Sequence, residues 1–140
     1  MEKLEKKQVI ADFFYLSPAG VAIPAEYCYD PVIVKAEQTA EIEAHLSTPQ
    51  ANTTGGSQFS AVLYKNDQPV AMTYDGDVDT SFTSSNASLM HREKVNDDAA
   101  FKLCVYAGPN LQGVVLNYTG AYQYGFKIYD IEYPMTFVQY

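Results

Sequence analysis

The sequence predicts a mainly β chain with one short helix, on three observations. Twelve tyrosines and seven phenylalanines among 140 residues, with frequent valine and threonine, favour the pleated, half-buried surface of strands. Strand-like runs are separated by turn-forming segments such as Lys65-Asn66-Asp67-Gln68. The stretch Tyr106-Ala107-Gly108-Pro109-Asn110-Leu111-Gln112-Gly113 has the composition of a folded hairpin. With 47% hydrophobic residues, the chain can bury one sizeable core, so residues 1–140 are expected to form a single domain.

In chain order, residues 9–16 are an apolar run fit for a buried strand, interrupted by Asp12 and stopping before Pro18. Residues 21–29 form a second candidate, with Pro24 marking an edge or bulge, and 32–35 a third. Over residues 36–46 the pattern changes. Ile42 and Leu46 lie four apart among Glu37, Glu41 and Glu43, which predicts a short amphipathic helix. Residues 47–57 are polar, uncharged and turn-rich, and separate an N-terminal part (1–55) from a second part (58–140). Beyond it, residues 60–64 and 69–74 predict a hairpin, and residues 101–106 and 114–118 a second.

These hairpins share features. Val62-Leu63-Tyr64 matches Cys104-Val105-Tyr106, and Tyr74-Asp75-Gly76 matches Tyr118-Thr119-Gly120. Tyr15-Leu16-Ser17-Pro18, followed by Tyr27, echoes the pattern upstream, so an internal repeat is expected. Tyr106, Leu111 and Gly113 also fit the spacing of an aromatic, four residues, a second aromatic, one residue and glycine, with Leu111 replacing the second aromatic. In this the region 58–140 resembles the βγ-crystallin family. The resemblance implies a Greek-key β-sandwich, with residues 88–95 and 135–139 as closing strands and glycine at 113 to permit positive φ. Such a sandwich would bury Leu63, Val70, Met72, Leu103, Val105, Val115 and Phe137.

Many members of that family bind calcium just before the closing strand. The matching segments here, 83–88 and 131–136, lack the paired oxygen ligands, so no metal site is expected. Asp75, Asp77 and Asp79 alternate as in a calcium loop, but Thr80 stands where glycine is needed and Asn86 where glutamate is. They are expected to form a solvated acidic hairpin end available to a partner. Residues 122–129 are dense in aromatics: their ordinary role is core, and the sharper alternative is a binding patch of Tyr122, Tyr124 and Tyr129.

Cys28 and Cys104 can pair only if the fold brings them together; their apolar and aromatic neighbours make buried free thiols the expectation. Neither His45 nor His91 has a partner legible in sequence, and Cys104 in an apolar run is expected to be inert. No catalytic residue and no cofactor are therefore assigned.

The formal net charge of −8, with Lys3, Lys6 and Lys7 all at the start, leaves the body more acidic than the total. That disfavours nucleic acid and suits a partner with a basic surface. No run approaches the roughly 18 apolar residues of a membrane span. The opening residues lack a secretory pattern, so a cytoplasmic or particle-assembled protein is expected. The functional expectation is a non-catalytic protein-binding module acting as an inhibitor, immunity factor or adhesin. The alternative is a structural subunit of a coat, decoration or extracellular layer, for which a homo-oligomer would be the working state.

Overall fold

Side chains that alternate between buried and exposed build nine strands in the computed structural model, which describes residues 6–48, 59–73, 85–108 and 111–132. They are β1 (Lys6–Leu16), β2 (Glu26–Cys28), β3 (Val32–Val34), β4 (Thr39–Thr48), β5 (Phe59–Lys65), β6 (Gln68–Met72), β7 (Ser85–Lys94), β8 (Ala99–Ala107) and β9 (Gln123–Glu132). The first sheet has the order β1-β9-β4-β7. The second has the order β2-β8-β5-β6, and β3 also pairs with β8, continuing the line of β2. All pairings are antiparallel.

The protein is thus a two-sheet β-sandwich, and its strand order matches that of a double-sheet jelly roll. Strands from both sides of the 47–57 segment share each sheet and one core. Among the described residues, only β5 and β6 are consecutive strands joined as a hairpin. Their turn is the one anticipated at Asn66 and Asp67, both with positive φ (50° and 67°), as a two-residue hairpin loop requires. Asn66 also fastens the turn to the start of β8, its Oδ1 accepting from the Ala100 amide at 2.9 Å.

The segment expected to be helical is β4. Ala40, Ile42, Ala44 and Leu46 are all at most 2% exposed, while His45 and Ser47 face solvent. A helix would turn residues two apart to nearly opposite sides, whereas a strand turns all four inward. The four-residue spacing of Ile42 and Leu46 is common to both geometries. No helix occurs among the described residues.

The second expected hairpin also fails. Both flanks of β8 are occupied, by β2 and β3 on one side and β5 on the other, so residues 114–118 have no free edge on which to pair. They pack instead against the segment before β2: Gly113 donates to the Ile23 carbonyl (2.8 Å), Ile23 donates to Val114 (2.9 Å), and Val115 bridges Ala22. Gly113 does take positive φ (80°), and Leu111 is buried. The matching tripeptides 62–64 and 104–106 lie in neighbouring antiparallel strands, Val62 opposite Cys104. Their likeness reflects a common in-out alternation. Of the expected core, Leu63, Leu103 and Val105 are buried, while Val70, Met72 and Val115 are exposed; Phe137 and the expected closing strand lie outside the described residues.

The cysteines, expected as free thiols, form a disulfide. β2 and β8 place Cys28 directly opposite Cys104 with Cα atoms 4.0 Å apart, close to the spacing of a non-hydrogen-bonded antiparallel pair. The bond joins residues 76 apart in sequence, which on a chain-entropy view is worth about 4.5 kcal/mol.

Aromatic side chains join the sheets beside it. Tyr29 stacks on Phe13 (5.2 Å) and Phe126 (5.7 Å), Tyr15 meets Tyr27 at 4.3 Å, and Phe59 stacks on Tyr122 at 5.3 Å. The Tyr29 hydroxyl donates to the Tyr124 carbonyl across the sandwich at 2.8 Å. Tyr29→Phe keeps the ring and removes that bond, so it is expected to cost about 1 kcal/mol in urea unfolding. Tyr29→Ala is expected to cost about 3–5 kcal/mol in the same measurement.

Candidate functional site

With the aromatic belt inside, the surface available for recognition is the outer face of each sheet. Of the expected binding residues, Tyr122 and Tyr124 are 2% and 1% exposed and offer no ring to a partner. The alternation held the signal: Tyr122, Tyr124, Phe126 and Ile128 point inward between Gln123, Gly125 and Lys127. Tyr129 is half-buried on the outer face, with the Lys7 ammonium 5.4 Å from its ring centre. Asp75, Asp77 and Asp79 lie outside the described residues.

The outer face of the first sheet can be followed row by row through the registers. Glu41 anchors the first row between Tyr129 and Arg92. It is 6% exposed and takes a salt bridge from Lys7 at 2.6 Å, with the Arg92 guanidinium at 3.7 Å. The next row runs Asp12, Lys127, Glu43, Met90, and the next Phe14, Gly125, His45, Ser88. Gly125 leaves this third row without a side chain between Phe14 and His45. Beside it a shallow cavity of about 260 Å³ is lined by His45, Leu46, Ser47, Ala87 and Ser88. On strand β1, which has β9 as its neighbour in the sheet, Val9, Phe14 and Leu16 are 58%, 62% and 46% exposed. These apolar residues were assigned to a buried strand. Asp12, on the same face as Phe14 and Leu16, was the available sign that this face meets water.

The outer face of the second sheet carries the disulfide. Around it stand Glu26, Val62, Tyr64, Lys102 and Tyr106, with Met72 at its margin. The Tyr64 and Tyr106 hydroxyls are 2.8 Å apart, and Lys102 lies 5.6 Å from the Tyr64 ring centre. Burial foremost, then the bond to Tyr64 and the nearby Glu26, hold the Tyr106 hydroxyl well above its ordinary pKa.

Two sets of titratable groups lie on the inward side of the sheets, the first part-buried and the second buried. His91 and Lys65 both bond Glu93 where β7 faces the end of β5, the His91 Nε2 at 2.9 Å. Burial alone would raise the Glu93 pKa, but the hydrogen bonds from Lys65 and His91 outweigh it and hold the carboxyl below its ordinary value. Burial is the main cause that raises Tyr29, Tyr122 and Tyr124 far above the ordinary phenol range, and neighbouring tyrosines add to it. The Tyr122 hydroxyl has no hydrogen-bond partner among the described residues. The groups weighed for catalysis do not converge. Cys104 is bonded to Cys28, His45 lies on the outer face of the first sheet, and His91 points toward the interior from β7.

No family model matches the chain, and no curated protein matches it. Among solved structures, a carbohydrate-binding module, CBM36, in complex with calcium and xylotriose, is similar over 96% of this chain and 100% of its own. The identity is 11% and the TM-score 0.32, so calcium and xylotriose remain that module's ligands.

Two pH effects follow. Glu93 is more acidic in the folded than in the unfolded chain, so its contribution is complete above the ordinary carboxylate pKa, about 4.5, and is lost as pH falls through the lowered value. The stability difference between wild type and Glu93→Gln, from urea unfolding, is expected to shrink below that pH. The three buried tyrosines have raised pKa values, so their contribution is complete below the ordinary phenol value, about 10, and is lost as pH rises above it. In a spectrophotometric alkaline titration, Tyr29, Tyr122 and Tyr124 are expected to ionise only with the loss of near-ultraviolet circular dichroism.

Proposed function

We propose that the protein is a non-catalytic module that binds another protein through the outer face of β1 and the edge that is unpaired among the described residues. The observation that carries this reading is the exposure of Val9, Phe14 and Leu16 along one eleven-residue strand at the margin of its sheet. Edge strands are ordinarily short, charged or covered, and an apolar one offers both backbone groups for β-pairing and side chains for burial. The formal charge of −8 favours a partner with a basic rim around an apolar contact. The separation of His45, His91 and Cys104 supports a role in binding and not in catalysis. Roles as an inhibitor, immunity factor or adhesin all fit such a module.

A second reading, a structural subunit, is favoured by the same edge if its occupant is another copy of the chain, pairing β1 with β1 across a two-fold axis. Light scattering over a concentration series separates the two. A protein that stays monomeric supports the heterologous partner, and dimerisation abolished by Phe14→Asp supports self-pairing. For the heterologous reading, affinity capture should recover a partner that is lost with Phe14→Asp and kept with Met72→Asp on the other sheet. Equal capture by both variants would remove β1 as the docking strand.

A further inference from the structure

On the outer face of the second sheet, Glu26 and Cys28 lie two apart on β2 and Cys104 faces Cys28 from β8. One carboxylate oxygen and the two sulfurs all lie within 4.8 Å of one another. We propose that reduction of the disulfide turns this group into a binding site for a soft divalent cation, zinc by its ligand chemistry, held by two thiolates and the Glu26 carboxylate.

Cys28 is exposed and Cys104 is buried, so a reductant reaches the bond at the Cys28 sulfur, and disulfides with such access are the more readily exchanged ones. A dithiol reductant supplies two electrons and two protons: the Sγ–Sγ bond breaks, two thiols form, and the reductant leaves as its own disulfide. Cation binding then releases both thiol protons to solvent. Zinc takes sulfur at about 2.3 Å and carboxylate oxygen at about 2.0–2.2 Å. Two sulfurs on one tetrahedral ion are therefore about 3.8 Å apart, a separation that side-chain rotation reaches from directly opposed positions on paired strands. Three protein ligands leave a fourth position, which the outward-facing surface opens to water. The donor set of two sulfurs and one oxygen disfavours calcium, which wants about six to eight oxygens.

The frame survives reduction because β2 is held by more than the disulfide. Tyr27 and Tyr29 flank Cys28 and insert into the aromatic belt, and the Tyr29 amide donates to the Leu103 carbonyl at 3.0 Å. Tyr106 pairs with Glu26 across the strands, its hydroxyl next to that carboxylate and 2.8 Å from that of Tyr64. The Tyr106 phenol, itself held by Tyr64, orients the carboxylate, as outer groups do around metal ligands.

The test is a titration of the full chain with cobalt(II), as a visible substitute for zinc, after reduction by a phosphine and its removal under anaerobic conditions. The expected result is one cobalt per chain with thiolate-to-cobalt charge-transfer absorbance, displaced by zinc. The oxidised protein and Cys28→Ser should show none. Glu26→Gln is expected to weaken binding by roughly tenfold to a hundredfold, whereas Asp30→Asn, outside the cluster, should leave it unchanged. The proposal is overturned if the reduced chain shows no such band, if the oxidised chain binds equally, or if Glu26→Gln binds as tightly as wild type. Loss of near-ultraviolet circular dichroism on reduction alone would overturn it as well, since the site needs β2 to stay on β8.

Discussion

Cys28 and Tyr29, adjacent in sequence, tie together three strands that are far apart along the chain. Cys28 is bonded to Cys104 on β8, the Tyr29 hydroxyl reaches the Tyr124 carbonyl on β9, and the Tyr29 ring lies on Phe13 of β1. One link is covalent, one a buried hydrogen bond and one a stacked contact. β2 itself is only three residues long and has little ladder of its own. Its position is fixed by what its side chains do on both faces: sulfur outward onto the sheet, phenol inward across the sandwich. The remaining aromatics, Tyr15, Tyr27, Phe59 and Tyr122, pack around this junction.

The sequence was most legible where strand-like runs are set off by turn-forming segments. The runs that became β1, β5, β7 and β8 were placed to within a few residues, and the Asn66-Asp67 turn was identified by its chemistry. Over residues 36–46, glutamates and a four-residue spacing mimicked a helix, and only the two alanines between Ile42 and Leu46 and before Ile42 disclosed a continuous inward row. The disulfide was illegible because its partners meet only when β2 is laid along β8. The repeat was overread: two neighbouring strands with the same alternation looked like two copies of one unit.

The candidate surface was harder to see for a related reason. Aromatic density marks a belt of rings without saying which side of a sheet they occupy, and here the dense segment became β9 at the centre of its sheet. The residues left outside are fewer and more ordinary, above all Val9, Phe14 and Leu16. Their position on a margin, which gives them meaning, is a property of strand order and not of local pattern. The two outer faces also differ in character. One displays apolar side chains beside a charged row built on Glu41; the other gathers sulfur, phenols and a carboxylate.

The pairing of β1 with β9 unites residues 6–16 with residues 123–132. A ribosome releasing this chain delivers β1 and then β4 long before β9, the strand that must sit between them. Until it emerges, both waiting strands have an apolar face and an unfilled edge, so the first sheet closes only once β9 has been made. Contacts of such wide sequence separation make for slow folding and for a partly built intermediate that is open to association. The order of strands that gives the finished sandwich its single core therefore also sets when, during its making, the protein is most vulnerable.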